Sequence, residues 1–98
     1  MNEIMFRKWL IDNGYNRKVA GDTVSRLKKL EHSANCDVDE EFKKNGFSFL
    51  FSLFENKGEN ERMASLNDNE LPVGKYHLSA YKYALNLYLK YKNEEQNG

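Results

Sequence analysis

Five cations crowd one stretch of this sequence: Arg17, Lys18, Arg26, Lys28 and Lys29, all within "RKVAGDTVSRLKKLEHSA". Side chains of this kind neutralise phosphates, and each such contact adds salt-dependent affinity without reading base sequence. The other groups able to do chemistry are scattered. His32 and His77 have no second ligand three or four residues away, so neither has the spacing of a metal site. The acidic run "DVDEE" lacks the ligand spacing and the glycine of a calcium loop. Cys36 is the sole cysteine, which excludes an intramolecular disulfide and fits a reducing cytoplasm. Ser, His and Asp occur without a nucleophile elbow or a triad signature, and the single glycines of "KNGFSF" and "NKGEN" make no phosphate cradle. The expectation is a non-enzymatic chain with no metal, no cofactor and no small-molecule substrate.

Six tyrosines, five of them between residues 76 and 91, are a second chemical resource, since phenol rings stack on bases in single-strand platforms. On a helix they more commonly fill a core, with the hydroxyl at its edge. The core reading is taken for Tyr76, Tyr83 and Tyr91, while Tyr81 and Tyr88 lie off that face.

The elements that must position these groups are helices. In residues 2–13, Met5, Phe6, Trp9 and Leu10 recur at helical spacing, and Gly14 supplies a stop. A second helix over about Arg17–Ser33 buries Ala20, Thr23, Val24, Leu27 and Leu30. Lys18, Ser25 and Lys29 then fall on its opposite face, flanked by Arg26 and Lys28, which gives a basic outer surface. Asp37 or Asp39 caps a third helix, with Glu40 and Glu41 in the first turn and Phe42 as its anchor. After Gly46, "FSFLFSLF" alternates like a strand but also places Phe47, Leu50, Phe51 and Phe54 on one helical face, with Phe49 and Leu53 on another. No second strand with matching turn chemistry exists to pair with it, so a helix is expected. Residues 56–74 read as a polar loop with Met63 and Leu66 as pegs and room for one short helix. The last helix runs from about Lys75 to Asn93.

At 98 residues the chain makes one domain, expected over residues 1–93, with 94–98 as a polar tail. Its 15 basic and 15 acidic residues cancel, which removes any long-range pull toward nucleic acid or anionic membrane and confines recognition to a local patch. Such patches exist: residues 1–31 carry seven Lys or Arg against four acids, and residues 32–70 carry four against nine. No apolar run is long enough for a signal peptide or a membrane span, so a cytoplasmic protein without a membrane partner is expected.

The order "FRKWLIDNGYNRKVAGDTVSRLKKLE" resembles the opening of SAM-like helical domains related to the core-binding domain of tyrosine recombinases and integrases. The later runs "DVDEEF", "FLFSLF" and "SAYKYALNLYLKY" look like a helical module that precedes nuclease domains in some bacterial restriction-type proteins. The likeness covers almost the whole chain and rests mostly on core spacing. It implies DNA clamping through basic residues on exposed helix faces, and the matching positions are Arg17, Lys18, Arg26, Lys28 and Lys29. The recombinases' catalytic domain, with its tyrosine nucleophile and arginines, has no counterpart in this sequence, so no cutting or joining reaction is carried over.

The last helix poses a question of cover. Tyr76, Ala80, Tyr83, Ala84, Leu87 and Tyr91 form one stripe, and Leu78, Tyr81, Leu85, Tyr88 and Leu89 form a second, more than about 90° around the axis. The second stripe is either covered by the chain's own helices or left as an interface. The expectation is therefore an all-α bundle of four to five short helices with an apolar C-terminal helix, acting as a DNA-associated module. The alternative is a small phage or mobile-element protein that binds and inhibits a host nuclease complex, of anti-CRISPR or anti-restriction type. In that case the second stripe is the protein interface or a homodimer contact.

Overall fold

The computed structural model describes residues 1–97, and it is all-α, with no strand among them. Six helices follow in order: α1 (Glu3–Asp12), α2 (Arg17–Ala34), α3 (Val38–Asn45), α4 (Ser48–Ser52), α5 (Glu61–Ala64) and α6 (Leu78–Asn97). None is long and apolar enough to cross a membrane.

The boundaries follow from local chemistry. Asn2, Asn16, Asp37 and Asn60 each turn a side-chain oxygen onto a free amide in the first turn of α1, α2, α3 and α5. Each such cap stabilises its helix by about 1 kcal/mol. Gly14, with φ at 93°, ends α1 as expected. Asn35 closes α2 in the left-handed region. Gly46 and Phe47 are both left-handed and reverse the chain between α3 and α4. That conformation costs a bulky residue about 1–2 kcal/mol. Full burial of the Phe47 ring, beside Phe42 at 5.5 Å and Tyr88 at 6.3 Å, offsets it.

The helix expected for "FSFLFSLF" forms only as the short α4, and a tight turn, Glu55–Gly58, follows it, in which Asn56, Lys57 and Gly58 are successively left-handed. Leu53, predicted off the main face, is fully buried with Leu50, while Phe49 stays partly exposed. The short helix allowed for in the polar loop is α5, and Met63 is its buried peg. The last helix starts three residues later than predicted, at Leu78, and continues to Asn97, so residues 94–97 prolong α6 rather than trailing from it.

Packing is dominated by α2 against α6, with α1 laid on α2. Between them lie Phe6, Leu10, Val24, Leu27, Leu30, Leu85 and Tyr88, all fully buried. Burying one such side chain stabilises by about 1.5–3 kcal/mol. The rings of Phe6, Tyr88 and Tyr91 meet within 5.5 Å of one another, edge-on or tilted, and Trp9 stacks on Phe6 from outside.

This arrangement answers the question of cover and corrects the choice of stripe on α6. Leu78, Leu85 and Tyr88 are buried in the chain's own core, and Tyr81 and Leu89 pack against it half-buried. The five residues expected as a protein interface are thus already occupied. From the stripe assigned to the core, Ala84, Leu87 and Tyr91 are buried, but Tyr76 is 93% and Tyr83 53% exposed. Tyr76 precedes the helix, so helical spacing never applied to it. Tyr83 lies at the helix margin, where its hydroxyl meets that of Tyr15 at 3.3 Å.

Candidate nucleic-acid interface

The core stripe of α2 holds Ala20, Val24, Leu27 and Leu30 inward, which leaves the predicted cations on the outer side of the same helix. Thr23, also buried, satisfies its hydroxyl on the Val19 carbonyl at 2.8 Å, so no polar group disturbs the packed side. A long, well-capped helix with a clean inner face holds its outer face in a fixed register.

On that face Arg17, Lys18, Lys28 and Lys29 are exposed and Arg26 is half-buried. Their local electrostatics differ. Lys28 Nζ lies 2.8 Å from Glu3 of α1, and Lys18 Nζ lies 3.4 Å from Asp22, one turn along. Arg17, Arg26 and Lys29 have no ion pair among the described residues. Exposed pairs of the Lys18–Asp22 kind contribute little to stability and release their cation readily.

Arg7 of α1 also belongs to this surface. It reaches across from α1 until its guanidinium stands 3.7 Å from the Cβ position of Gly21, and it pairs with Glu3 at 3.1 Å. Glu3 therefore sits between Lys28 and Arg7, and those two cations hold its carboxyl below the usual range. The absence of a side chain at Gly21 is the one sequence signal that another helix approaches α2 there.

Glu3 and Asp22 pair with cations of this surface, and a separate cluster of acids lies elsewhere. Asp37 and Asp39, at the start of α3, converge with Glu31 on the Met1 ammonium at 3.3 to 3.7 Å. Asp39 also takes the Tyr88 hydroxyl at 2.6 Å and lies 3.5 Å from Lys92 Nζ. Burial raises the Asp39 pKa, but the Tyr88 hydrogen bond and the two cations outweigh it and hold the carboxyl below its ordinary value. The same carboxylates keep the Met1 ammonium above its ordinary value against the opposing effect of burial. This cluster knits four segments together: the N-terminus, the end of α2, the start of α3 and α6.

Cys36 and the two histidines take no part in these ion pairs. Burial, followed by the carboxylates of Glu41, Glu31 and Asp37, pushes the Cys36 thiol up to about 12, so it is not a thiolate near neutrality. His32 and His77 are exposed, and no group of three metal-binding side chains occurs among the described residues.

No family model, no curated protein and no solved structure matches the chain. The functional reading accordingly starts from the residues themselves.

Proposed function

We propose that this chain is a non-enzymatic, DNA-associated helical module of the cytoplasm that holds duplex phosphates along the outer face of α2. The observation that carries the reading is the set of three cations without an ion pair among the described residues: Lys29 on the outer face of α2, with Arg17 and the half-buried Arg26 on its two flanks. Lys18 and Lys28 extend the set once phosphate replaces their exposed carboxylate partners. The resemblance of "FRKWLIDNGYNRKVAGDTVSRLKKLE" to SAM-like recombinase modules supports the same face. Such contacts position a protein on DNA and do not select a base sequence. Five such phosphate contacts correspond to a salt slope of about −4.5 in log affinity against log salt concentration.

Duplex binding measured across a salt series tests it. Affinity falls with that slope, and the charge-reversal set Lys18→Glu, Arg26→Glu and Lys29→Glu abolishes it. Absence of binding at low salt, or binding that the reversals leave unchanged, refutes the proposal.

A second reading, the small phage or mobile-element protein that inhibits a host nuclease complex, is favoured by a different surface from the one expected. Ile4, Met5 and Ile11 are 81, 51 and 43% exposed on the outer side of α1. Co-purification with a nuclease complex that Ile4→Asp and Ile11→Asp abolish supports this reading, and co-purification indifferent to both substitutions removes it.

A further inference from the structure

We propose that the cleft between the Glu55–Gly58 turn and the start of α6 binds a nucleotide unit, with its phosphate on lysines and its base on Tyr76. The cleft encloses about 550 Å3, within the roughly 300–1,000 Å3 typical of small-ligand pockets. Lys57, Lys75 and Lys82 line it, and they come from three separate pieces of chain: the turn, the loop before α6 and the second turn of α6. None of the three has an ion pair among the described residues. Glu59 is the neighbouring acid, with Oε1 2.9 Å from the Cβ position of Gly74 at the cleft edge. Three positive charges against one negative leave an excess that suits an anion.

The apolar part of the cleft is graded. Phe54 and Leu78 are buried and form its base, whereas Tyr76 stands almost fully in water at the rim. Of the flat rings here, Tyr76 lines the cleft beside the lysines, and the His77 ring meets it edge-on at 5.4 Å from outside the lining. A solvent-facing aromatic next to several ammonium groups is the combination that takes a stacked base and its phosphate.

The start of α6 itself does not hold the anion. The amides of Leu78, Ser79 and Ala80 already donate to the carbonyls of Lys75, Tyr76 and His77, and the Ser79 hydroxyl donates to Tyr76 O at 3.0 Å. The lysines must therefore supply the charge. Their placement is fixed by the turn: the Gly74 amide donates to Lys57 O at 3.1 Å, and Gly58 packs so closely that a Cβ there would stand 2.8 Å from Leu78 Cδ2. Lys57 keeps a left-handed backbone, φ 57°, which a lysine rarely adopts.

A nucleotide unit comes either free or within a single strand, and the test separates these sources. Anisotropy of a labelled oligothymidine strand is titrated with the intact protein at low salt, with thymidine monophosphate and inorganic phosphate as competitors. Binding is expected, with a loss of at least about tenfold in Lys75→Glu/Lys82→Glu, since each phosphate contact on a single strand contributes about 0.7 to the salt slope. Tyr76→Ala, a change of a fully exposed side chain, weakens it by about fivefold or more if a base stacks there. Lys18→Glu/Lys29→Glu on α2 is the comparison: a smaller loss there than in Lys75→Glu/Lys82→Glu assigns the strand to the cleft, and an equal or larger loss overturns that assignment, so the cleft and the duplex face stand or fall separately. Full competition by the mononucleotide identifies a free nucleotide, and its failure to compete identifies a strand. The proposal is overturned by no binding, by binding indifferent to Lys75→Glu/Lys82→Glu in a protein with unchanged circular dichroism, or by equal competition from inorganic phosphate with no effect of Tyr76→Ala.

Discussion

Tyr88 donates its hydroxyl to Asp39 at 2.6 Å across 49 residues of chain, and the same oxygen accepts the Asn2 amide at 3.3 Å. One side chain of α6 thus fastens the starts of both α1 and α3, and it does so from a ring with no exposure at all. Burial, then the Asp39 carboxylate, raises the phenol well above its ordinary pKa, so it remains a donor near neutral pH.

Tyr88→Phe keeps the ring and removes the hydroxyl. The Asn2 amide loses its acceptor and Asp39 loses its donor, which is expected to cost about 1–3 kcal/mol. Urea denaturation checks it, with a lowered midpoint and an unchanged slope as the expected result.

Stability is expected to form a plateau in pH. Asp39 is held below its ordinary 3.8, so its contribution is complete above that value and is lost as pH falls through the lower folded-state pKa. The Met1 ammonium is held above 8.0, so its contribution is complete below that value and is lost as pH rises through the higher folded-state pKa. Denaturation midpoints over a pH series test both limbs, and Asp39→Asn should flatten the acid one. An alkaline decline beginning well below 8.0 would contradict the Met1 assignment.

Leu85→Asp separates a core role from an interface role. Leu85 has no exposure, so an isolated carboxylate there must be desolvated or the packing must open. The variant is expected to unfold, and the milder Leu85→Ala to lose about 2–5 kcal/mol in thermal melts. A folded Leu85→Asp monomer would restore α6 as a binding surface.

Gly58→Ala meets two obstacles at once, a left-handed φ of 82° and Leu78 Cδ2 at 2.8 Å. The backbone alone costs about 1–2 kcal/mol. The combined loss should exceed that of Gly14→Ala, where φ is also positive but the space is open. Equal losses in the two variants would show that Leu78 yields without cost.

Cys36 should react slowly with iodoacetamide in the native protein at pH 8 and rapidly in denaturant. Its thiol is pushed up to about 12, so little thiolate exists until the structure opens.

Much of this architecture was readable from residue order. The inward positions of α2 and the stop at Gly14 depend on neighbours within one or two turns and stand where spacing puts them, and of the two caps open to α3, Asp37 and Asp39, it is Asp37 that accepts the amides. The choice between the two stripes of α6 was not local. Helical periodicity marks Leu85 and Leu87 as apolar alike, and only the arrival of α1, α2 and the Glu55–Gly58 turn decides how far each side is covered. Arg7 was missed for the same reason, since its place beside Gly21 is set by the packing of α1 on α2. The lysines of the cleft lie far enough apart in sequence that no window contains all three.

The pairing of α2 with α6 also sets the order in which the chain can acquire stability. The strongest packing of α2 is on α6, a helix that begins at Leu78, so an α1–α2 hairpin on its own leaves the α6-facing side of α2 in water. Joining the two ends means closing a loop of more than forty residues, whose entropic cost grows only slowly with length but falls due before most of the burial is gained. Folding should therefore be a single late event, with the segment from α3 to α5 carried into place by the meeting of the chain's two ends.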